Sequence, residues 1–166
     1  MDRDIGKNMY EKLAEKYGMS IEQAKLNCRN IEQMAAEVGL DYQFDTLVLT
    51  NTFDAHRLTM FAKSHGLMKE MTDRILRAYF TESKHIGDHN TLIELAVDIG
   101  LDRNKVALML SSSDLGDEVR ADEQEAATLG IRSVPFFLIN RKYPLNGAQP
   151  TDVFVQALQQ VLEQER

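Results

Sequence analysis

The sequence has a single cysteine, Cys28, among its 166 residues. One thiol excludes an internal disulfide, a Cys-x-x-Cys redox pair and a zinc site built from several thiolates. No apolar run approaches the roughly 20 residues of a membrane span, so we expect no membrane partner. Basic runs are also absent, and 26 acidic residues outnumber 19 basic ones to give a net charge of −7. This acidity argues against nucleic acid as a partner.

The N-terminus is charged and leads into no apolar run, which argues against a secretory signal. Together with the absence of disulfides, this predicts a cytoplasmic location. Hydrophobic residues make up 43% of the chain, enough for a globular core. Apolar spacing and glycine stops predict helices over residues 4–17, 20–38, 51–65, 67–81, 91–99, 103–112 and 115–129, with a loop over residues 83–90.

The C-terminal part has a different pattern. Residues 134–139 form a short apolar run typical of a buried strand, residues 143–145 predict a second short strand, and Thr151 is the expected N-cap of a final helix. The fold class is therefore α/β. Two strands alone make a marginal sheet in water, and the first is apolar on both faces. Either residues 44–50 join the sheet, or another chain does, or part of the domain lies outside these 166 residues.

Two sequence features have both a functional and a structural interpretation. The pair Val134-Pro135 could free the backbone of Val134 for a peptide or thiol ligand if the bond were cis, although a trans proline opening a strand is the commoner arrangement. Asn51, Asp54, His56 and Arg57 could line a pocket. The simpler interpretation is a first helical turn in which Asp54 is favourable to the helix dipole and the other side chains are solvated.

Other candidates favour a structural role. His85 and His89 have the spacing of a helical metal pair, but the intervening Gly87 and the loop composition argue against a helix there. Cys28 lies on the apolar stripe of its predicted helix, as a small buried hydrophobe does. We therefore predict no metal site, no cofactor and no catalytic residue within the chain.

Three strings together resemble a signature of the FrnE-like branch of the DsbA family. They occur in the family's order, at residues 51–58 (Asn-Thr-Phe-Asp-Ala-His-Arg-Leu), 134–137 (Val-Pro-Phe-Phe) and 147–150 (Gly-Ala-Gln-Pro). The resemblance runs through nearly the whole chain. It implies a DsbA-like thioredoxin fold, with residues 1–130 as a mostly helical insertion domain and residues 131–166 as the C-terminal β-hairpin and helix.

The resemblance also implies a function and a set of site residues. The family's activity is thiol–disulfide oxidoreduction, with protein or peptide thiols as substrates, and Pro135 would be its cis proline. The family's Cys-x-x-Cys and N-terminal strand–helix–strand unit have no counterpart in this sequence, so we expect the chain to be truncated and inactive in redox chemistry. The residues that the resemblance and the patterns assign to substrate binding are Val134, Pro135, Asn51, His56, Gly147 and Gln149.

Two further hypotheses remain open. The chain could be a non-redox module that binds a peptide or partner at the Val134–Pro135 edge and completes its sheet as a homodimer. It could also be a glutathione-linked isomerase or transferase, since related thioredoxin-fold families with a similar insertion carry out that chemistry.

Overall fold

The computed structural model describes residues 7–165. Within that range the chain forms eight helices and one two-stranded antiparallel sheet, which confirms a mostly helical α/β protein with a C-terminal hairpin. Residues 4–6 of the first predicted helix lie outside the described residues. The elements in chain order are α1 (Met9–Tyr17), α2 (Ile21–Glu37), α3 (Phe53–Ser64), α4 (Met68–Phe80), α5 (His89–Asp98), α6 (Arg103–Ser111), α7 (Gly116–Thr128), β1 (Phe136–Ile139), β2 (Tyr143–Asn146) and α8 (Thr151–Gln164).

The chain divides into two compact units, Met1–Val119 and Arg120–Arg166. We call them the helical unit and the hairpin unit. The division lies inside α7, ahead of the boundary predicted after residue 130. The sequence-based domain boundary stays a prediction.

The helical unit is built around α3 to α6. Their inward faces share one core that includes Leu58, Met71, Leu92, Leu95 and Val106, all fully buried. These positions fall at helical spacing within their elements, so packing of amphipathic faces against one another holds the four helices together.

A second, smaller cluster surrounds Cys28 on α2, which is buried against Phe44 and Leu47. The ring of Tyr42 stacks on that of Phe80 at the end of α4, with centroids 4.8 Å apart. Among the described residues, 44–50 contain turns and no strand, so the suggestion that this segment joins the sheet is wrong. Its aromatic and leucine side chains pack into this cluster instead.

The start of α5 also differs from the prediction. The helix begins at His89, two residues earlier than expected, because Asp88 acts as its N-cap. The Asp88 carboxylate accepts the backbone N–H of Thr91 at 2.8 Å and its hydroxyl at 3.0 Å. An aspartate in this position satisfies an amide that would otherwise lack a partner. The loop predicted over 83–90 therefore ends at Asp88.

In the hairpin unit, β1 and β2 pair in a register that sets Phe137 opposite Leu145 and Leu138 opposite Pro144. The Phe137 ring contacts that of Phe154 on α8 edge to face, with centroids 4.8 Å apart. The last helix begins at Thr151, which is therefore its first residue and not its N-cap as predicted, because Pro150 occupies the N-cap position. None of the described helices is both long enough and apolar enough for a membrane span.

Candidate functional site

The string at residues 51–58 forms the entry into α3. Asn51 precedes the helix, and its side-chain oxygen accepts the backbone N–H of Phe53 at 2.8 Å. Thr52 is the N-cap residue but makes no capping bond with its side chain. Asn51 thus satisfies one of the free amides of the first turn, which gives it a structural role in the described state.

Asp54 and Arg57 form an ion pair inside the helical unit. One carboxylate oxygen of Asp54 accepts Nη1 of Arg57 at 2.8 Å, and the side chains are only 1% and 5% exposed. The other oxygen lies 2.8 Å from Nε2 of His89, at the start of α5. Both oxygens of a buried carboxylate therefore have partners, as burial of a charge requires.

The remaining Arg57 donors hold the end of α6. Nη2 donates to the carbonyls of Met109 at 2.7 Å and Ser112 at 2.8 Å, and Nε donates to the carbonyl of Asp114 at 2.8 Å. Helix C-termini leave carbonyls without intrahelical partners, and a planar guanidinium can bind several of them at once. Arg57 thereby ties the start of α3 to the end of α6.

This arrangement sets the charge state of Asp54. Burial alone would raise its pKa, but hydrogen bonds from Arg57 and His89 and their positive charge outweigh burial and lower the pKa below its ordinary value. The carboxylate is therefore ionised at neutral pH, and it holds Arg57 and His89 in place.

The interpretation of the side chains other than Asp54 as solvated is wrong for Arg57, which is buried. Together with His85, His89 and neighbouring residues, Asp54 and Arg57 line a cavity of about 450 Å³. His85 contributes a bond between its Nε2 and the Thr50 hydroxyl at 2.9 Å. The two histidines do not share a helix, since His85 lies in the loop and His89 opens α5. Within residues 7–165, no three metal-ligating side chains converge on one point.

Gly87 shows how tightly this loop is packed. A Cβ atom at position 87 would lie 2.1 Å from the Thr50 hydroxyl and 3.1 Å from the Asn51 carbonyl. A side chain at this position would displace the Thr50 hydroxyl from its bond to His85 and crowd the Asn51 carbonyl, so the packing favours glycine. The close approach keeps the 83–88 loop against the residues that precede α3.

His56 differs from the other histidines. It is exposed, and its ring has no hydrogen-bond partner among the described residues, whereas His65, His85 and His89 are each bonded. Its neighbours in the string have structural roles, since Ala55 and Leu58 enter the core. Of the four histidines in the described residues, His56 is thus the one whose ring the fold leaves free.

In the hairpin unit, four of the predicted site residues come together where the two strands separate. The Pro135 carbonyl accepts the Gly147 N–H at 2.8 Å, and the Val134–Pro135 peptide bond is cis. Gly147 has φ of 80°, a conformation that side chains disfavour. Gln149 donates its side-chain amide to the Asn146 carbonyl at 2.8 Å. Val134 projects outward and is 87% exposed.

Cys28 lies in an inert environment. Burial raises the pKa of its thiol, and the nearby carboxylates of Glu32 and Asp45 raise it further. A thiol of this kind is protonated at neutral pH and is a poor nucleophile. The interpretation of Cys28 as a buried hydrophobe agrees with its 1% exposure.

Sequence reasoning missed the link between Asp54 and His89, which are 35 residues apart. A signal for the buried pair was nevertheless present: Asp54 and Arg57 lie at i and i+3, on the helix side that carries Ala55, Leu58 and Ala62. Opposite charges at this spacing on an apolar face can pair with each other when the face is buried, because an unpaired charge there would be costly.

Residues 4–159 match the model of the DSBA-like thioredoxin domain, and the chain belongs to this family. Its structure superposes on that of a probable DsbA oxidoreductase from Streptomyces coelicolor with a TM-score of 0.86 and 42% identity, over 95% of this chain and 68% of that one. A putative protein disulfide isomerase from Nitrosomonas europaea shares the fold, with a TM-score of 0.67 and 19% identity over 87% of this chain and 76% of that one.

A relative known from its sequence is YwbO of Bacillus subtilis, described as an uncharacterized protein. It is 30% identical over 131 residues, which are 78% of this chain and 65% of YwbO. The chain thus spans about two thirds of the length of this relative, and the longer proteins contain sequence with no counterpart here.

Proposed function

We propose that this chain supplies the helical insertion (residues 1–130) and the C-terminal hairpin and helix (residues 131–166) of an FrnE-like DsbA protein. The reaction of that protein would be thiol–disulfide exchange with protein thiols. Family membership supports the proposal, as does the likeness to a probable DsbA oxidoreductase at 42% identity. A cytoplasmic location stays a prediction from the sequence.

One observation carries the substrate-binding part of this proposal. Neither backbone group of Val134 has a hydrogen-bond partner within the described part of the chain, while the Pro135 carbonyl beside it is held by Gly147. An exposed residue with a free N–H and C=O at the end of a strand can pair with an extended peptide. Val134 and Pro135, with Gly147 and Gln149 supporting them, would hold the backbone of a substrate next to its thiol.

The redox step requires groups that these 166 residues do not contain. In thiol–disulfide exchange a thiolate attacks one sulfur of a disulfide, a mixed disulfide forms, and a second thiol resolves it. Cys28 is a single buried thiol with a raised pKa. We therefore propose that the 166 residues alone are inactive, and that the working enzyme takes its dithiol from polypeptide outside them.

Insulin reduction by dithiothreitol tests the inactivity. The purified 166-residue chain and its Cys28→Ser variant should both leave the rate at that of dithiothreitol alone. A rate enhancement that Cys28→Ser abolished would contradict the proposal, because it would make Cys28 the nucleophile.

Substitutions at residue 134 test the substrate edge in the protein as its source cell makes it, whose length should first be measured by intact mass. Val134→Pro removes the backbone donor and should lower kcat/KM for disulfide exchange about two- to tenfold, the value of one hydrogen bond. Val134→Thr keeps both the donor and the β-branched shape, so it should match the parent. Equal rates for all three proteins would exclude this edge.

A second candidate function is binding of a partner without redox chemistry. The apolar side chains of Val155, Leu158 and Leu162 are exposed at helical spacing on α8, and a two-stranded sheet has free edges. A second copy could cover both and give a homodimer. Sedimentation across a hundredfold range of concentration tests this function, and a monomer throughout would count against it.

The glutathione-linked isomerase or transferase also stays a prediction. Calorimetric titration with glutathione tests it, and the absence of detectable heat would remove it.

A further inference from the structure

A second cavity of the helical unit lies between α3 and α4, beside His56. Its volume is about 430 Å³, within the range of small-molecule sites. Ala55, Ile75 and Ile86 form buried parts of its wall, and Leu76, half exposed on α4, forms part of its rim. The wall is therefore continuous with the core of the helical unit, which makes it a firm surface rather than a gap between loose side chains.

The chemistry of this cavity contrasts with that of the cavity at Asp54. The Asp54 cavity is lined by carboxylates, an arginine and two histidines. No Asp, Glu, Lys or Arg lines the α3–α4 cavity. A charged ligand would lose its hydration there without gaining a counter-ion, whereas an uncharged apolar group would gain by leaving water. The lining thus selects for an apolar, uncharged occupant.

Polar groups without a hydrogen-bond partner among the described residues also line this cavity. The His56 ring and the Tyr79 hydroxyl make no hydrogen bond within the described range, although both belong to the lining. Burial raises the pKa of Tyr79, so its hydroxyl is protonated at neutral pH and can donate. An apolar cavity with a few unengaged polar groups is the usual form of a binding site, in which the polar groups orient the ligand.

We propose that the α3–α4 cavity binds an aromatic or large aliphatic side chain of an unfolded polypeptide, with His56 and Tyr79 bonding to the adjacent peptide backbone. The choice of a polypeptide rests on the proposed function, since the substrates would be proteins. Chains that have not yet folded expose apolar side chains together with their thiols. The cavity would then add affinity for unfolded chains over folded ones.

Binding of matched peptides tests the proposal. A fluorescently labelled Gly-Ser decapeptide with one central Phe is titrated with the 166-residue chain and followed by anisotropy, beside the same peptide with Ala. The Phe peptide should bind about tenfold more tightly, as expected for burial of an aromatic ring. Equal affinity of the two peptides would overturn the proposal.

A pair of leucine variants locates the binding. Leu76→Lys places a charge at the cavity rim and should remove the advantage of the Phe peptide. Leu108→Lys is the matched control, because Leu108 is 71% exposed on α6 and lies outside this cavity. Both leucines are exposed, so neither change should unfold the chain, which circular dichroism checks. Equal effects of the two substitutions would overturn the site.

Histidine variants test the polar contact. His56→Ala should weaken both peptides several-fold, and His56→Gln should restore most of the affinity because its amide can still hydrogen-bond. His65→Ala is the control, since His65 is exposed and outside the lining. If His56→Ala bound both peptides as tightly as the parent, the proposed hydrogen bond between His56 and the peptide backbone would be wrong.

One further arm distinguishes a polypeptide from a free small molecule. N-acetylphenylalaninamide should compete weakly with the Phe peptide. If it bound while the Phe peptide did not, the cavity would be a small-molecule site and the assignment to polypeptide would fall. The peptide-binding assays contain neither disulfide nor reductant, so a negative result in them would not contradict the redox proposal. A negative result in the redox assay would likewise not contradict peptide binding.

Discussion

The two units differ in how they bury apolar side chains. In the helical unit, α3 to α6 enclose a continuous core with several side chains at zero exposure. In the hairpin unit, Val161 is the one described residue that is buried, while Phe137, Leu158 and Leu162 remain 40%, 48% and 66% exposed. The helical unit also contains the buried ion pair of Asp54 and Arg57, whereas in the hairpin unit Arg141 pairs with Glu125 at the surface.

The hairpin unit shows that regular secondary structure can form without a well-buried core. The hairpin and α8 form with regular hydrogen bonds and a clear register, yet they bury little apolar surface. Since burial supplies most of the free energy of folding, the hairpin unit has little stability of its own. The proposed function accounts for this, because further strands of a thioredoxin fold would cover its exposed apolar side chains.

Amide hydrogen exchange tests the difference in stability between the two units most directly. Amides in the middle of α3 and α5 should exchange about a thousandfold or more slowly than those of β1 and β2, since the helices open only with their core. Exchange of the 166-residue chain at neutral pH, read by NMR, gives the ratio. Comparable protection in the hairpin would show that something in solution covers it, with dimerisation as the first cause to test.

A matched pair of arginine substitutions sharpens the contrast between buried and surface charge. Arg57→Met should lower the free energy of unfolding by about 3–5 kcal/mol, because it leaves the buried Asp54 carboxylate without its arginine and removes the donors to the Ser112 and Asp114 carbonyls. Arg141→Met should change it by no more than about 1 kcal/mol, since its ion pair is exposed. Chemical unfolding followed by circular dichroism measures both values.

Similar losses for the two variants would mean that the Asp54–Arg57 pair adds nothing beyond a surface contact. In that event, contacts other than the Asp54–Arg57 pair would have to hold the start of α3 in place.

Much of this contrast could be predicted from the sequence. Glycine stops and apolar spacing placed the helices within a few residues of their observed ends, and the run at residues 134–139 marked the first strand. The predicted start of α5 was wrong because Asp88 caps the helix by bonding to Thr91. That bond depends on the backbone conformation, which the sequence pattern does not show. Residues 44–50 were ambiguous because their apolar side chains suit either a strand or a packed loop.

The candidate site was predicted less completely. Individual residues such as His56 and Val134 could be singled out, but their environments could not, since exposure depends on elements far away in sequence. The bond between Asp54 and His89 spans 35 residues and has no local signature. The α3–α4 cavity likewise arises from the packing of two helices and includes Ile86 from the following loop.

Acid should weaken the helical unit through Asp54. Hydrogen bonds to Arg57 and His89 hold its pKa below the ordinary value despite burial, so its contribution is fully present above the unfolded pKa of about 4 and is lost as the pH falls through the folded pKa. Asp54→Asn should therefore lower the free energy of unfolding by about 2 kcal/mol at pH 7, the value of hydrogen bonds to a charged group, and by progressively less below pH 4.

Urea unfolding at pH 7 and pH 3 measures both differences, with Asp73→Asn as the control because Asp73 lies in an exposed pair with Lys69. A cost for Asp54→Asn that stayed constant between the two pH values would contradict the assignment, since the loss would then come from shape or packing and not from the carboxylate charge.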